Sequence, residues 1–371
     1  EGMYYHGFVV IALCALCAVG PAEHAQDSCL FVICAHLETI GMPRQIGEIV
    51  RYHEEGNELL GKVVYRYVTE PIELPTETAI RFGGEVRWNA FPEDRIAFGI
   101  RYTHLETRSR VAGKVHSGDA FTWVKLWKSN IFPLRNVDAP GGVSPISYFG
   151  RDRVVLFYGD VFAVKKIIEG ATDVSVSLGA RLLYPRYELT VGETQRARLL
   201  IYKIPEADTY FNNEVTLSTV TESEYSFCGG PSIGATISHH LGAFCVDAGF
   251  NQSLAFGEAV HKGDFSDVDD VIISGGRYQE FQYVGSSHFS TKERVWLPAT
   301  DLTLGVRYFL NQRSYIGISA FHSVVSNFSY GPTLAGPWDI NNNKAPRAHE
   351  WSIATDALRL YGVTLSLGVT L

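Results

Sequence analysis

Charge is scarce in this chain. Only 19% of its 371 residues are Asp, Glu, Lys or Arg, and the mean hydropathy is +0.01. Both values are unusual for a soluble enzyme of this size. Long apolar runs are missing as well. Past the N-terminal segment no stretch reaches the ~20 residues that a membrane-crossing helix needs. Positive charge is not in excess: the net charge of −8 argues against nucleic acid as a partner. A chain of this balance that enters a bilayer without helical spans does so as a closed barrel, because every backbone polar group must then be paired.

Cysteine gives little. Cys14-x-x-Cys17 has the spacing of a metal or redox pair, but it lacks a second pair and lies in a segment expected to be removed. Cys228 and Cys245 flank one hairpin out of register and read as small wall residues without a disulfide. Neither a metal site nor a cofactor is expected.

What is present is alternation. From Ile80 the even positions run Ile80, Phe82, Gly84, Val86, Trp88, Ala90, and the odd ones Arg81, Gly83, Glu85, Arg87, Asn89. After the turn Phe91–Arg95 the even positions resume as Ile96, Phe98, Ile100, Tyr102, with Arg101 between them. Side chains alternate faces along a strand, so this is a hairpin with one apolar and one charged face. Aromatics on one side and arginines on the other suit a barrel wall with lipid outside and a polar lumen inside.

In chain order, Phe8–Val19 followed by Gly20-Pro21-Ala22-Glu23-His24-Ala25 reads as a signal peptide over 1–25 with its cleavage site after Ala25, with a buried helix as the alternative. Residues 26–371 form the barrel. A first strand is predicted at Phe31–Leu37. Within 106–150, Ala120, Trp123, Val124, Trp127 and Ile131 share a helical face, which predicts a helix that constricts the mouth or caps the rim. Val154–Val164 is apolar on both faces, so its register stays open. Further hairpins are predicted around the turns 169–172, 239–242 and 310–313, and a last strand runs Tyr361–Leu371. Asp264, Asp267, Asp269 and Asp270 in the region 258–293 read as a solvated acidic loop, with a divalent cation site as the weaker reading. The short turns alternate strictly with long loops at 40–78, 106–150, 186–224, 258–293 and 329–355. That is the pattern of an all-β, transmembrane, antiparallel up-and-down barrel with short periplasmic turns and long extracellular loops. The count is about ten strands, or twelve if Ala197–Tyr202 and Val215–Val220 span the membrane.

Several short segments resemble the pore-forming outer membrane proteins related to the Legionella-type major outer membrane protein. They are Arg101-Tyr102-Thr103-His104, Gly179-Ala180-Arg181-Leu182-Leu183-Tyr184, Gly230-Pro231-Ser232-Ile233-Gly234 and Leu360-Tyr361-Gly362-Val363-Thr364-Leu365. The resemblance implies a porin-like barrel in the bacterial outer membrane and no catalytic residues. Outer-membrane barrels commonly end in an aromatic that the assembly machinery reads. This chain ends in Leu371, with the alternation before it intact.

The expected lumen-facing set is Arg81, Glu85, Arg87, Arg101, Arg181, Asp247, Asp301 and Arg307. Two roles fit it. Mixed signs can line a narrow passage for small solutes or ions, or they can cross-brace a filled barrel, since about ten strands leave little space. A non-conducting structural barrel and an adhesin acting through its loops are the alternatives to a pore. An enzyme is not expected: the His239-His240 pair sits on a short turn, and His104 and His322 have no evident sequence partner. The expected partners are outer-membrane lipid and, through the C-terminal strand, the barrel-assembly machinery.

Overall fold

The computed structural model describes residues 29–41, 45–57, 62–75, 78–91, 93–115, 121–126, 129–131, 145–204, 207–274, 279–311, 313–334 and 351–370. The expected signal peptide, the Cys14-x-x-Cys17 pair and the tip of the 329–355 loop lie outside these residues. The strands are β1 (Cys29–Gly41), β2 (Gln45–Asn57), β3 (Lys62–Glu73), β4 (Thr78–Phe91), β5 (Ile96–Val115), β6 (Phe121–Leu126), β7 (Ser129–Ile131) and β8 (Ile146–Ile168). They continue as β9 (Thr172–Ile204), β10 (Ala207–Tyr225), β11 (Cys228–Leu241), β12 (Phe244–Ser274), β13 (Gln279–Asn311), β14 (Ser314–Leu334) and β15 (Trp351–Thr370).

The wall closes. β1 pairs antiparallel with both β4 and β15, so the ring is closed through its lower wall. Higher up, β5 beyond His104 pairs only with β8, and β13 before Ala299 only with β12, among the described residues. Between them run β5, β8, β9, β12, β13 and β14, each paired antiparallel to its ring neighbours. β10 and β11 share one place: the lower part of β9 pairs with β11 and its upper part with β10, and β12 does the same. The ring therefore holds ten strands, the lower of the two expected counts. Ala197–Tyr202 and Val215–Val220 belong to the β9–β10 hairpin and lengthen the wall rather than adding spanning strands.

All four short turns lie at one end, together with the start of β1 and the end of β15. At the other end the expected long loops are largely strand, which corrects the sequence reading. β9, β12 and β13 are 33, 31 and 33 residues long. At ~3.3 Å per residue that is ~100 Å of strand, where ~10 residues cross a bilayer. Residues 40–78 and 106–150 also carry β2, β3, β6 and β7, which form a separate four-stranded sheet. The helix expected over 120–131 is not formed. Trp123 and Val124 pair instead with Val50 and Ile49 of β2. Phe121, Thr122, Trp123 and Val124 are aromatic or β-branched, and a neighbouring strand edge outweighs a weak helical periodicity.

The lower wall carries an apolar belt on its outer face. Leu178 is 67% exposed, Leu304 61% and Leu365 57%, with Ile233, Phe250, Val306, Ile316 and Leu367 exposed between them. Aromatics edge it. Trp88 stacks on Phe98 at 6.1 Å, and Phe244 meets Tyr308 at a tilt at 5.0 Å, towards the turns. Phe227, Tyr184 and Phe157 cluster on the other side, with Phe256 and Trp296 exposed beside them. Just beyond, the outward positions turn ionic. Glu106, Arg153, Glu188, Arg186, Glu222 and Lys262 form a string of ion pairs of 2.6 to 3.8 Å across β5, β8, β9, β10 and β12. A continuous belt of exposed leucine, isoleucine, valine and phenylalanine bounded by aromatics and then by charge is the outer surface of a membrane-spanning barrel.

The inner face does the reverse. On β9 the inward residues run Asp173, Ser175, Ser177, Gly179 and Arg181, then Leu183, Tyr187, Leu189 and Val191. The outward ones run Val176, Leu178 and Leu182, then Tyr184, Arg186 and Glu188. Side-chain parity is unchanged, and polarity inverts where the strand leaves the belt. Above that level the interior is an apolar core containing Leu105, Leu156, Leu297, Phe321, Tyr330 and Leu360. A bulge between Val325 and Phe328, with Asn327 at φ 59°, shifts β14 by one face and turns Phe328 and Tyr330 inward. Phe328 then stacks on Tyr225 at 5.4 Å, and Tyr330 meets Tyr187 edge-on at 5.2 Å.

Leu304→Arg tests which medium meets the belt. A cation near the middle of a lipid-facing strand costs ~2–4 kcal/mol, whereas an exposed position in water changes stability by only ~0.5 kcal/mol. The variant is expected to lose most of its membrane-inserted, heat-modifiable band on gels. Wild-type insertion would place Leu304 in water.

Candidate functional site: the barrel interior

Register builds the site. Glu85 on β4 faces Arg101 on β5, Arg101 faces Asp160 on β8, and Asp160 faces Arg181 on β9. These inward positions give a row of alternating charge on four adjacent strands, the arrangement that cross-strand pairing favours. Glu85 accepts from Arg87 at 2.6 Å and from Arg101 at 2.8 Å. Arg181 holds Asp160 in a two-pronged contact, Nε to Oδ1 at 2.6 Å and Nη2 to Oδ2 at 2.9 Å. The Arg101 and Asp160 charges lie 3.9 Å apart.

Arg181 also leaves the row. Its Nη1 reaches Asp301 on β13 at 2.6 Å. β9 and β13 are separated in the ring by β11 and β12, so this ion pair crosses the interior. The Arg181 side chain is only 2% accessible. Asp301 accepts a further hydrogen bond from Ser323. A second cluster lies nearer the turns, where Arg307 donates to both oxygens of Asp247 at 2.5 Å and Ser238 donates to the same carboxylate at 2.6 Å. The arginines lie over rings: Arg181 over Tyr158 at 5.2 Å, Arg101 over Phe162 at 5.4 Å, Arg307 over Tyr315 at 5.2 Å. Each guanidinium is thus packed as well as paired.

Seven of the eight expected lumen residues, Glu85, Arg87, Arg101, Arg181, Asp247, Asp301 and Arg307, join these clusters. Arg81 lies on β4 with the parity of Glu85 and Arg87, and its side chain is outside the described residues. Asp160 was missed. It lies in the stretch that is apolar on both faces, and its signal was a lone carboxylate whose two neighbouring strands each carry an arginine. With Asp160, four arginines meet four carboxylates in these two clusters.

Higher up lies a relay that sequence reading also missed. Ser223 Oγ lies 2.6 Å from His261 Nδ1, and His261 Nε2 lies 3.1 Å from Glu293 Oε1. Ser223 and His261 are direct cross-strand partners on β10 and β12. Both are fully buried, whereas the Glu293 side chain is 44% exposed. Ser223 Oγ is also 3.4 Å from Ser329 Oγ, and Ser329 N–H donates to the Tyr225 hydroxyl at 2.5 Å. The residue types are those of an acyl-transfer triad, but a sealed hydroxyl offers no path to a substrate. Their observed effect is to fasten the bulged part of β14 to the opposite wall. Burial holds the His261 imidazole below its ordinary range, against the opposing pull of Glu293. The expected acidic loop is here strand: Asp264 pairs with His288 at 2.6 Å, and Asp270 accepts from Gln282 at 2.7 Å. Cys228 and Cys245 are separate buried thiols.

No family model and no curated protein matches this chain. Among solved structures it is similar to the outer membrane protease OmpT from Escherichia coli, at 12% identity over 95% of this chain and 99% of that one, with a TM-score of 0.38. It is similar to the P. putida toluene transporter TodX at 6% identity, 94% and 91% coverage and a TM-score of 0.22. An anion-selective porin from Comamonas acidovorans aligns at 9% identity, 93% and 100% coverage and a TM-score of 0.18. Likenesses this remote carry no weight on activity, and the barrel's character rests on its own closure and belt.

Arg181→Ala is expected to destabilise the barrel by ~3–5 kcal/mol, because it leaves Asp301 without its arginine and Asp160 with only the 3.9 Å contact to Arg101. Arg181→Lys is expected to recover only part, since an ammonium cannot serve both prongs and the transverse contact. Heat-modifiability midpoints measure both, and an unchanged Arg181→Ala midpoint would remove the cluster from the fold's support. His261 sets a pH dependence. Its folded value lies below the unfolded ~6.5, so its contribution is complete above that pH and declines as pH falls below it. Acidification from pH 7.5 to 5.5 is expected to lower the unfolding midpoint more in wild type than in His261→Gln. Equal slopes would show that another group titrates.

Proposed function

We propose that this chain is a bacterial outer-membrane barrel with a closed interior, which acts through the paired strands that stand above the membrane. The observation that carries the reading is the Arg181–Asp301 ion pair, which crosses the interior with Arg181 almost wholly inaccessible. The apolar core stacked above it supports the same view. Trp351 on β15 donates to Ser287 on β13 at 3.0 Å, past the strand that separates them, and lies against Gly263 of β12. A barrel filled in this way is braced rather than porous. Its outer contribution is a tall wall of charged and polar side chains suited to recognition at the cell surface. The role is non-enzymatic, in keeping with the sealed Ser223. The relation to the Legionella-type major outer membrane proteins, and delivery by the barrel-assembly machinery through β15, belong to this proposal.

A second reading is a narrow porin-like passage. It is favoured by the side chains of Arg87 and Arg101, which are 35% and 39% exposed inside the wall.

Planar-bilayer recording of the purified, heat-modifiable protein separates the two. The closed reading expects no regular conductance steps in wild type. Regular steps whose ion selectivity changes in Arg101→Ala would overturn it and establish the passage.

A further inference from the structure

The lipid-facing wall is not uniformly convex. Ala163, Val176, Leu178, Ile233, Ala235 and Phe250 line a hollow of about 500 Å³ on its outer surface. Register explains the shape. Ala163 pairs beside Leu178 and Ala235 beside Phe250, so two methyl-sized floors sit between bulky walls. The Ile96–Lys165–Val176–Ala235–Phe250 positions are successive cross-strand neighbours on five strands, forming one apolar row broken by a single cation.

That cation is the unusual feature. Lys165 is exposed, faces outward, lines the hollow and makes no ion pair among the described residues. It lies four residues before the Glu169 turn, ~13 Å along the strand. An outward lysine in the belt costs free energy unless its ammonium reaches the interface or meets an anion. The next residue, Lys166, points inward to Asp173 at 3.2 Å and Glu169 at 3.5 Å, so the nearby carboxylates are already engaged. Arg95 is adjacent. Its carbonyl accepts from Lys166 N–H at 3.1 Å, and its half-exposed guanidinium lies 3.4 Å from Glu169.

We infer that the hollow is a lipid site: one acyl chain of a glycerophospholipid lies along Ala163 and Ala235, with the lipid phosphate on Lys165 and Arg95 at the short-turn face. The inference rests on the membrane-barrel reading. Apolar floor, apolar walls and a basic end match the two parts of such a lipid and no soluble anion.

The test titrates palmitoyl-oleoyl phosphatidylglycerol into the full, detergent-solubilised chain and counts retained lipid by native mass spectrometry. Wild type is expected to hold one lipid more tightly than the rest. Lys165→Ala is expected to weaken it about fivefold, the share of one basic side chain at a membrane surface. Ala163→Phe, which fills the floor, is expected to abolish it while heat-modifiability stays intact. Equal retention in wild type and both variants would overturn the site, as would equal binding of a diacylglycerol lacking the phosphate. A chain that never becomes heat-modifiable would overturn the barrel reading itself. A heat-modifiable barrel without the retained lipid would overturn only this inference.

Discussion

Closure of β1 onto β15 is the constraint on which the rest depends. In hydrocarbon an unpaired N–H or C=O has no water to turn to, and an open sheet would expose two such rows. Leu30 to Gly41 paired against Thr370 to Arg359 removes both edges at once. A closed ring fixes which residues face in and which face out over its whole circumference. The belt, the interior charges and the core then follow from parity.

Parity is kept while polarity is not. Where the wall meets lipid, leucine and phenylalanine point out and Arg181, Asp160 and Asp301 point in. Where it meets water, Arg186, Glu188 and Glu222 point out while Leu189, Tyr187 and Phe328 point in. Each half is stable only in its own medium. The Glu106–Lys262 string and the Phe157–Tyr184–Phe227 cluster mark the level at which one medium gives way to the other. The interior is consequently filled twice, by paired charge below and by apolar packing above, which is why the closed reading is the better supported one.

The lower half was legible. The Ile80–Tyr102 hairpin, the short turns and seven interior charges follow from strict alternation, which is a property of single strands. The upper half was read as loop because its alternation runs in the opposite sense and lacks a lipid-facing stripe. Val154–Val164 looked apolar on both faces because it straddles the inversion: Phe157 and Val161 face out, and Val154 and Leu156 face in. Trp123 and Val124 fitted a helical face until β2 offered them a strand partner.

By itself the sequence determined the kind of wall: antiparallel strands, about ten or twelve of them, with short turns at one end and a charged inner face in the membrane. These depend on which side chain follows which, and a chain carries that information locally. The tertiary structure alone decided how the interior is filled. Arg181 meets Asp301, Ser223 meets His261 and Trp351 meets Ser287 across 120, 38 and 64 residues of chain. Such meetings follow from the ring's register and the β14 bulge, neither of which is written in the alternation of any one strand.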